Sequence, residues 1–321
     1  MKGSEKFVIG VDIGATSIKT GIVGMNGSIL NQVSFPTLAD RGPALVIEQI
    51  IKSIRNSLAS YSLEDCMGIG IGAPGVVSNE DGKVRNPPNF SDWDSVDVAK
   101  EIKKIYPRRV LVENDANCAA LAEARFGAGV DFKDFLFVIW GTGIGGGIIL
   151  DHKLFRGKDG GAGEIGHVSI DYEGEQCNCG GIGCIESYVG QRYLSKRTKE
   201  ILLKLNKNER KIIEDLVGGD FDKIEPAILS RAAEMGDPTS ISVLENAGKL
   251  MGVAFASVLN VLDLEVVIIG GGVSAVPDFV YTSILDSIRA RVLKPHRAGI
   301  KVIRAKLGNN AGIIGAASLV L

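Results

Sequence analysis

The placing of glycine constrains this chain more than any other feature of its sequence. It holds 41 glycines in 321 residues, well above the ordinary share of about 7%. They gather at 10–14, 68–75, 141–147, 157–166, 180–183 and 270–272, mostly beside apolar, β-branched runs. A linker would spread them. Clusters at strand ends instead mark places where backbone comes close to something else.

The runs around these clusters repeat one layout. Residues 7–11 and 17–24 read as strands about the first glycine turn, with Asn26-Gly27 as a hairpin turn before a strand at 28–34. A helix is predicted at 44–60, where Leu45, Ile47, Ile50, Ile51, Ile54 and Leu58 fall at helical spacing. Short strands at 67–71 and 109–112 come next, the second leading into an alanine-rich helix at 116–126. The layout then restarts with a strand at 135–140, a glycine turn, a strand at 147–150 and a turn near 151–153. Helices are predicted at 193–216, 226–235 and 240–262, then a strand at 265–269, a helix at 277–293, a strand at 301–304 and a small-residue helix at 310–321. Two halves that open alike predict an internal duplication. The Ala- and Gly-rich helices closing each half predict a close crossing at an interdomain hinge.

Length and charge set the class. With 45% apolar and 23% charged residues, the composition is that of a soluble globular protein, and 321 residues suit two modest domains. The net charge of −2 offers no field to draw nucleic acid or a membrane surface. The N-terminal apolar run breaks at Gly10 and Asp12, which leaves no signal-peptide core. The apolar helical stretch at 250–262 is too short to cross a bilayer. A cytoplasmic place is therefore expected, with no membrane or nucleic-acid partner.

Asp12-Ile13-Gly14-Ala15-Thr16-Ser17-Ile18-Lys19 sets an acid, a glycine, a hydroxyl and a lysine around a tight turn between strands. Backbone N–H groups of Gly14, Ala15 and Thr16 can cradle phosphate oxygens, and Asp12 can hold Mg²⁺ through water. A plain hairpin with an exposed acid is the rival reading. The second turn, with Gly141, Thr142 and Gly143 followed by Gly146, matches G-x-G-x-x-G. That fingerprint must open a helix, whereas Ile148-Ile149-Leu150 continues as strand, so a dinucleotide fold is rejected. No G-K-[ST] occurs, which excludes a P-loop. A phosphate turn opening each half, then a third turn at Gly270, Gly271 and Gly272 where adenine can lie, resembles the actin-like ATPase and sugar-kinase superfamily. That resemblance implies an α/β fold with duplicated ribonuclease-H-like halves, two domains around a cleft. The small domain is expected at 1–118 plus 303–321 and the large one at 119–302.

Glu164-Ile165-Gly166-His167 is followed by Cys177-Asn178-Cys179-Gly180-Gly181-Ile182-Gly183-Cys184-Ile185-Glu186. One imidazole and three thiolates can close a tetrahedral zinc shell of the structural kind. Glycine, Asn and Gln neighbours argue against plain buried cysteines, a reading that does suit Cys66 and Cys118. The stretch strongly resembles the signature of the ROK family (repressors, open reading frames and kinases), C-x-C-G-x-x-G-C-x-E after a G-H motif. The likeness takes in D-x-G-x-T, Ala73-Pro74-Gly75, Asn114-Asp115 and the later glycine turns, nearly the whole chain.

The ROK resemblance implies roles for individual residues. By it, Asp115 is the catalytic base, although an Asp before a helix also suits an N-cap. Gly75, Asn89, Asn114, Asp115, Glu164, His167 and Glu186 are implied to bind a hexose. Asp12, Gly14, Ala15, Thr16, Lys19 and the turns at Gly141–Gly143 and Gly270–Gly272 are implied to bind ATP with Mg²⁺. Structural Zn²⁺ is implied on His167, Cys177, Cys179 and Cys184, and so is a homodimer or larger homo-oligomer. The run 161–167 favours glucose, with mannose, fructose, N-acetylmannosamine and N-acetylglucosamine as alternatives and polyphosphate as another donor. A sugar-sensing repressor of the same family is the rival from another class. It would carry a helix-turn-helix domain ahead of the phosphate motif, and only 11 residues precede Asp12, so no specific DNA binding is expected. A metal-dependent hydrolase would need an open zinc position, which four ligands do not leave.

Overall fold

The computed structural model describes residues 5–78 and 80–321. The first four residues, part of the N-terminal run read above for a signal peptide, lie outside them. The elements run β1 (Phe7–Ile13), β2 (Ser17–Gly24), β3 (Ile29–Pro36), α1 (Pro43–Ser57), β4 (Cys66–Ala73), β5 (Val76–Ser78), β6 (Lys83–Arg85), β7 (Ser95–Asp97), α2 (Val98–Ile105), β8 (Val110–Asn114) and α3 (Asp115–Phe126). They continue with β9 (Phe135–Trp140), β10 (Ile144–Leu150), β11 (Lys153–Phe155), α4 (Glu186–Val189), α5 (Gln191–Leu202), α6 (Lys211–Leu216), α7 (Pro226–Glu234) and α8 (Pro238–Leu262). Last come β12 (Val266–Gly270), α9 (Asp278–Arg291), β13 (Lys301–Arg304) and α10 (Ala311–Ser318).

The expected duplication is present in the strand orders. One sheet runs β3-β2-β1-β4-β8 and the other β11-β10-β9-β12-β13, the same connectivity twice. In the first, β1 and β2 pair antiparallel while β1, β4 and β8 are parallel. In the second, β9, β12 and β13 are parallel. The turn between β10 and β11 forms where Asp151 and His152 both take positive φ, at 53° and 59°, the geometry a two-residue hairpin turn needs.

By contact the chain forms two compact units, one of residues up to 133, 147–163 and 306–321, the other of 134–146 and 164–305. Residue 118, the last of the first expected domain segment, lies within α3, an uninterrupted helix of the first unit. The first unit's core is mostly aliphatic, with Ile9, Val11, Ile50, Ile54, Ile69 and Ile71 buried between its sheet and α1 and α2. Its other face carries α10, with Val8, Val23, Ile313 and Ala317 buried together. There the backbones nearly touch: a methyl at Gly10 would strike the Ile313 carbonyl, one at Gly70 the Ala316 carbonyl, and one at Gly315 the Cys118 carbonyl of α3. Glu123, fully buried on α3, secures this packing. Its carboxylate accepts the N–H groups of Ala128 (2.6 Å), Lys306 (3.0 Å) and Leu307 (2.8 Å), just ahead of α10.

Two differences from the sequence reading have plain causes. The helix expected over 193–216 is broken into α5 and α6, because the Asn206 side chain accepts the N–H groups of Asn208 and Glu209 and so competes with helical bonding. The small sheet β5-β6-β7 went unread because three-residue strands carry too short an alternation to register.

Gly315→Ala is expected to cost about 1–3 kcal/mol through overpacking against α3. Gly161→Ala, where no atom of the described residues lies within 4 Å of the added carbon, is expected to stay within about 0.5 kcal/mol. Urea denaturation of the two variants beside the parent checks both.

Candidate active site

In the first unit the site grows from the carboxyl ends of three parallel strands. Register sets Asp12 beside Gly72, Gly72 beside Glu113 and Ala73 beside Asn114, which is where open α/β sheets bind ligands. The helix cap is Asn114, so the capping role that the sequence left open for Asp115 falls to its neighbour. The Asn114 side chain accepts the N–H groups of Ala116 (2.9 Å) and Asn117 (3.1 Å), while its amide donates to the Gly75 carbonyl at 3.1 Å. Asp115 is the first residue of α3, with one carboxylate oxygen 2.8 Å from the Ala116 nitrogen. The physical reason is the extended backbone of Asn114 (ψ 145°), which only the residue before the first turn can take. Gly75 needs its positive φ of 87° for this turn. Asn89, also left-handed (φ 68°), is exposed on the loop after β6.

Asp12 and Lys19 face each other across β1 and β2. Burial pushes the Asp12 carboxyl above its usual range, with Lys19 pulling it back. The turn between them is pinned by Thr37, a buried residue: its N–H donates to the Thr16 carbonyl (3.1 Å) and its hydroxyl to the Gly14 carbonyl (2.6 Å). Ala15 and Thr16 stay exposed. Burial first, then the charges of Glu113, Asp115 and Asp12, raise the Cys118 thiol well above its normal range. All three acids therefore act on one buried residue.

In the second unit the turn after β9 closes with a Gly141 N–H donated to the Gly143 carbonyl at 3.0 Å. Thr142 is exposed, and no atom of the described residues crowds the α-carbon of Gly141. Glu186 reaches this turn: its carboxylate accepts the Ile144 N–H at 2.9 Å and fills the space a side chain at Gly143 would need. Gly271 and Gly272 are exposed after β12, and Gly271 has a φ of 90°.

The ligand atoms of His167, Cys177, Cys179 and Cys184 all lie within 4.8 Å of one another. The Cys179 and Cys184 sulfurs are 3.7 Å apart, and the Cys177 sulfur is 3.8 Å from His167 Nδ1. Tetrahedral zinc with metal–sulfur bonds near 2.3 Å would set sulfurs about 3.8 Å apart. The other ring nitrogen of His167, Nε2, faces Glu164 at 3.9 Å. Burial raises the Cys184 thiol, and its cysteine neighbours carry it further, to about 12. Burial also opposes ionisation of Cys177, but hydrogen bonds from the Cys179 backbone, Cys179 and His167 hold it at about 7. Without a cation the three cysteines do not all ionise together; a divalent ion would hold them as thiolates, and the donor set fits zinc.

The model of the ROK family matches residues 8–321. The chain belongs to the ROK family. A glucokinase of Thermotoga maritima is 33% identical over 98% of this chain and 96% of its own length. A xylose repressor of Caldicellulosiruptor bescii is 30% identical over 98% of this chain but 78% of its own. The crystal structure of a ROK family glucokinase from Streptomyces griseus, in complex with glucose and AMPPNP, superposes with a TM-score of 0.84 at 33% identity, covering 98% of each chain. The ROK fold seen here is the duplicated, actin-like one that the strand orders display.

Sequence reasoning missed several residues of this candidate site. Glu113 is fully buried, yet its carboxylate accepts the Asn114 N–H (2.9 Å), the Asn117 amide (3.1 Å) and the Arg156 guanidinium (2.6 Å). An acid at the last positions of a parallel strand, just before Asn114-Asp115, was the available signal. Thr37 had none, since its partners are backbone carbonyls. Arg156→Met is expected to destabilise the protein by about 1–3 kcal/mol, because a buried carboxylate loses its cation. Adding Glu113→Gln should recover part of the loss in a double-mutant cycle followed by urea unfolding.

Proposed function

We propose that this chain transfers the γ-phosphoryl group of ATP to O6 of glucose, giving glucose 6-phosphate and ADP. The likeness to the S. griseus glucokinase bound to glucose and AMPPNP, over 98% of both chains, carries this reading. The residue roles rest on the geometry above together with the family motif. Asp115, in the first turn of α3, accepts the O6 proton as that oxygen attacks the γ-phosphorus. The O6–P bond forms while the bond to the bridging β–γ oxygen breaks, and ADP leaves with that electron pair. Asn114, fixed by its capping bonds and its tie to Gly75, orients the sugar with Asn89, Glu164, His167 and Glu186, since carboxylates accept from vicinal hydroxyls. The N–H groups of Ala15, Thr16, Thr142 and Gly143 bind phosphate oxygens, in turns that the Gly14 and Gly141 N–H groups close by donating to the Ser17 and Gly143 carbonyls, with Lys19 adding charge, and Gly270–Gly272 receives the adenosine.

Asp12 suits Mg²⁺, because a carboxylate that burial leaves short of solvation gains from a cation, and the ion would neutralise charge on the transferring group. Zinc held by His167 Nδ1, Cys177, Cys179 and Cys184 would serve as a structural tie that fixes the segment carrying Glu164, His167 and Glu186. None of the described helices is long and apolar enough to cross a membrane. The proposed place of work is the cytoplasm, where ATP and free hexose meet, as a homodimer or larger homo-oligomer.

A coupled assay with glucose, mannose, fructose, N-acetylglucosamine and N-acetylmannosamine tests the reaction. Glucose is expected to have the highest kcat/KM, with the acetamido sugars roughly a hundredfold lower, because two polar groups that a bound sugar would cover would lose their partners. An acetamido sugar coming out ahead would reassign the substrate, and no turnover of any hexose would end the kinase reading. In the same assay, Asp115→Asn is expected to keep glucose binding but lose turnover by about 10²–10⁴-fold. Turnover within a few-fold of the parent would move the base elsewhere.

Zinc is expected at one ion per chain in protein purified without added metal, measured by elemental analysis. Cys179→Ser should lose zinc and calorimetric glucose affinity together. Full glucose affinity without metal would refute the structural tie.

A further inference from the structure

Arg304, the last residue of β13, plays no part in the reaction described above, yet it is among the most heavily engaged side chains of the second unit. Its guanidinium donates to the carbonyls of Ser274 and Val276 (2.7 Å to the latter) and to the Asp278 carboxylate at 2.8 Å. One face of it lies 3.9 Å from the centre of the Tyr281 ring. Tyr281 returns to the same loop, its hydroxyl donating to the Ser274 carbonyl at 2.9 Å. Ser274 in turn holds the Gly271 carbonyl, by its hydroxyl at 2.7 Å and its N–H at 3.1 Å.

These bonds form a chain that ends at the third glycine turn. Register pairs Arg304 with Ile269, so the guanidinium starts from the strand beside the one that leads into the turn. Gly271 sits so tightly on Trp140 that a methyl there would strike the Trp140 carbonyl, and Trp140 precedes Gly141. Holding Gly271 therefore holds the third turn in register with the second. Among the described residues no atom lies within 4 Å of a carbon added at Gly272, so no side chain of the loop fills that space. The turn can keep its backbone open to a ligand because its shape is imposed from behind.

We propose that Arg304, acting through Ser274, is the positioning residue of the adenosine turn. This rests on the proposed ATP reading of Gly270–Gly272. Only a planar fork can meet two carbonyls, a carboxylate and an aromatic face together, so lysine is no substitute.

The test compares Arg304→Lys, Tyr281→Phe and Ser274→Ala with the parent by calorimetric titration of AMPPNP and, separately, of glucose. Arg304→Lys is expected to weaken AMPPNP about tenfold while glucose affinity stays within about twofold. Tyr281→Phe, which keeps the ring and loses one hydrogen bond, and Ser274→Ala should shift AMPPNP affinity in the same direction by less. Unchanged AMPPNP affinity overturns the proposal, as does an equal loss for both ligands, which would mean a general structural role. If Arg304→Lys does not fold, the two milder variants decide by the same criterion. Because binding is read without turnover, failure of the hexose assay would sink the kinase reading and leave this result separately legible.

Discussion

Everything in the first unit depends on three places where backbone meets backbone without a side chain between. Gly10, Gly70 and Gly315 let α10 lie directly on β1, β4 and α3, with carbonyl oxygens where β-carbons would otherwise stand. Dispersion energy falls steeply with distance, so such contact is firm, but it tolerates no added atom. The buried Glu123 carboxylate then satisfies three N–H groups that the tight connection ahead of α10 would otherwise strand. The start of α3 inherits this rigidity. That is what lets a short aspartate side chain hold a fixed place at the strand ends.

Electrostatics refines what packing sets. Glu113, Asp115 and Asp12 all bear on the buried Cys118, a concentration of negative charge made tolerable by Arg156, Lys19 and the N–H groups at the start of α3. In the second unit the pattern is different. There the crowding is of sulfur, and Glu186 carries order from the cysteine segment to the Gly141–Gly143 turn through a single hydrogen bond to Ile144. One side chain thus belongs to two parts of the proposed chemistry.

Much of this was legible in the sequence, for reasons that differ by element. The glycine clusters exposed the duplicated strand–turn–strand layout because close approach leaves only one residue type to choose from. The cysteine and histidine set was legible because few residue types can hold a metal. Asp115 was open to a capping reading beside the catalytic one because composition alone cannot say which of Asn114 and Asp115 takes the extended backbone. Asn206 hid a helix break inside a charged, helix-forming run. Thr37 and Ser274 were invisible, since their partners are carbonyls brought near only by the finished fold. Arg304 looked like any strand-ending arginine until its loop was in place.

The route of the chain through the first unit has a consequence for how the protein is made. Its contacts skip from residue 133 to 147–163 and then to 306–321, and α10 is the piece that covers β1, β4 and α3. At about 5–20 residues per second, roughly 10–40 s of synthesis separates the emergence of α3 from that of α10. Through that interval the apolar face formed by Val8 and Val23 waits for Ile313 and Ala317. The first half to leave the ribosome is thus the last to be finished, and the nascent chain must carry an open hydrophobic surface while the second half folds.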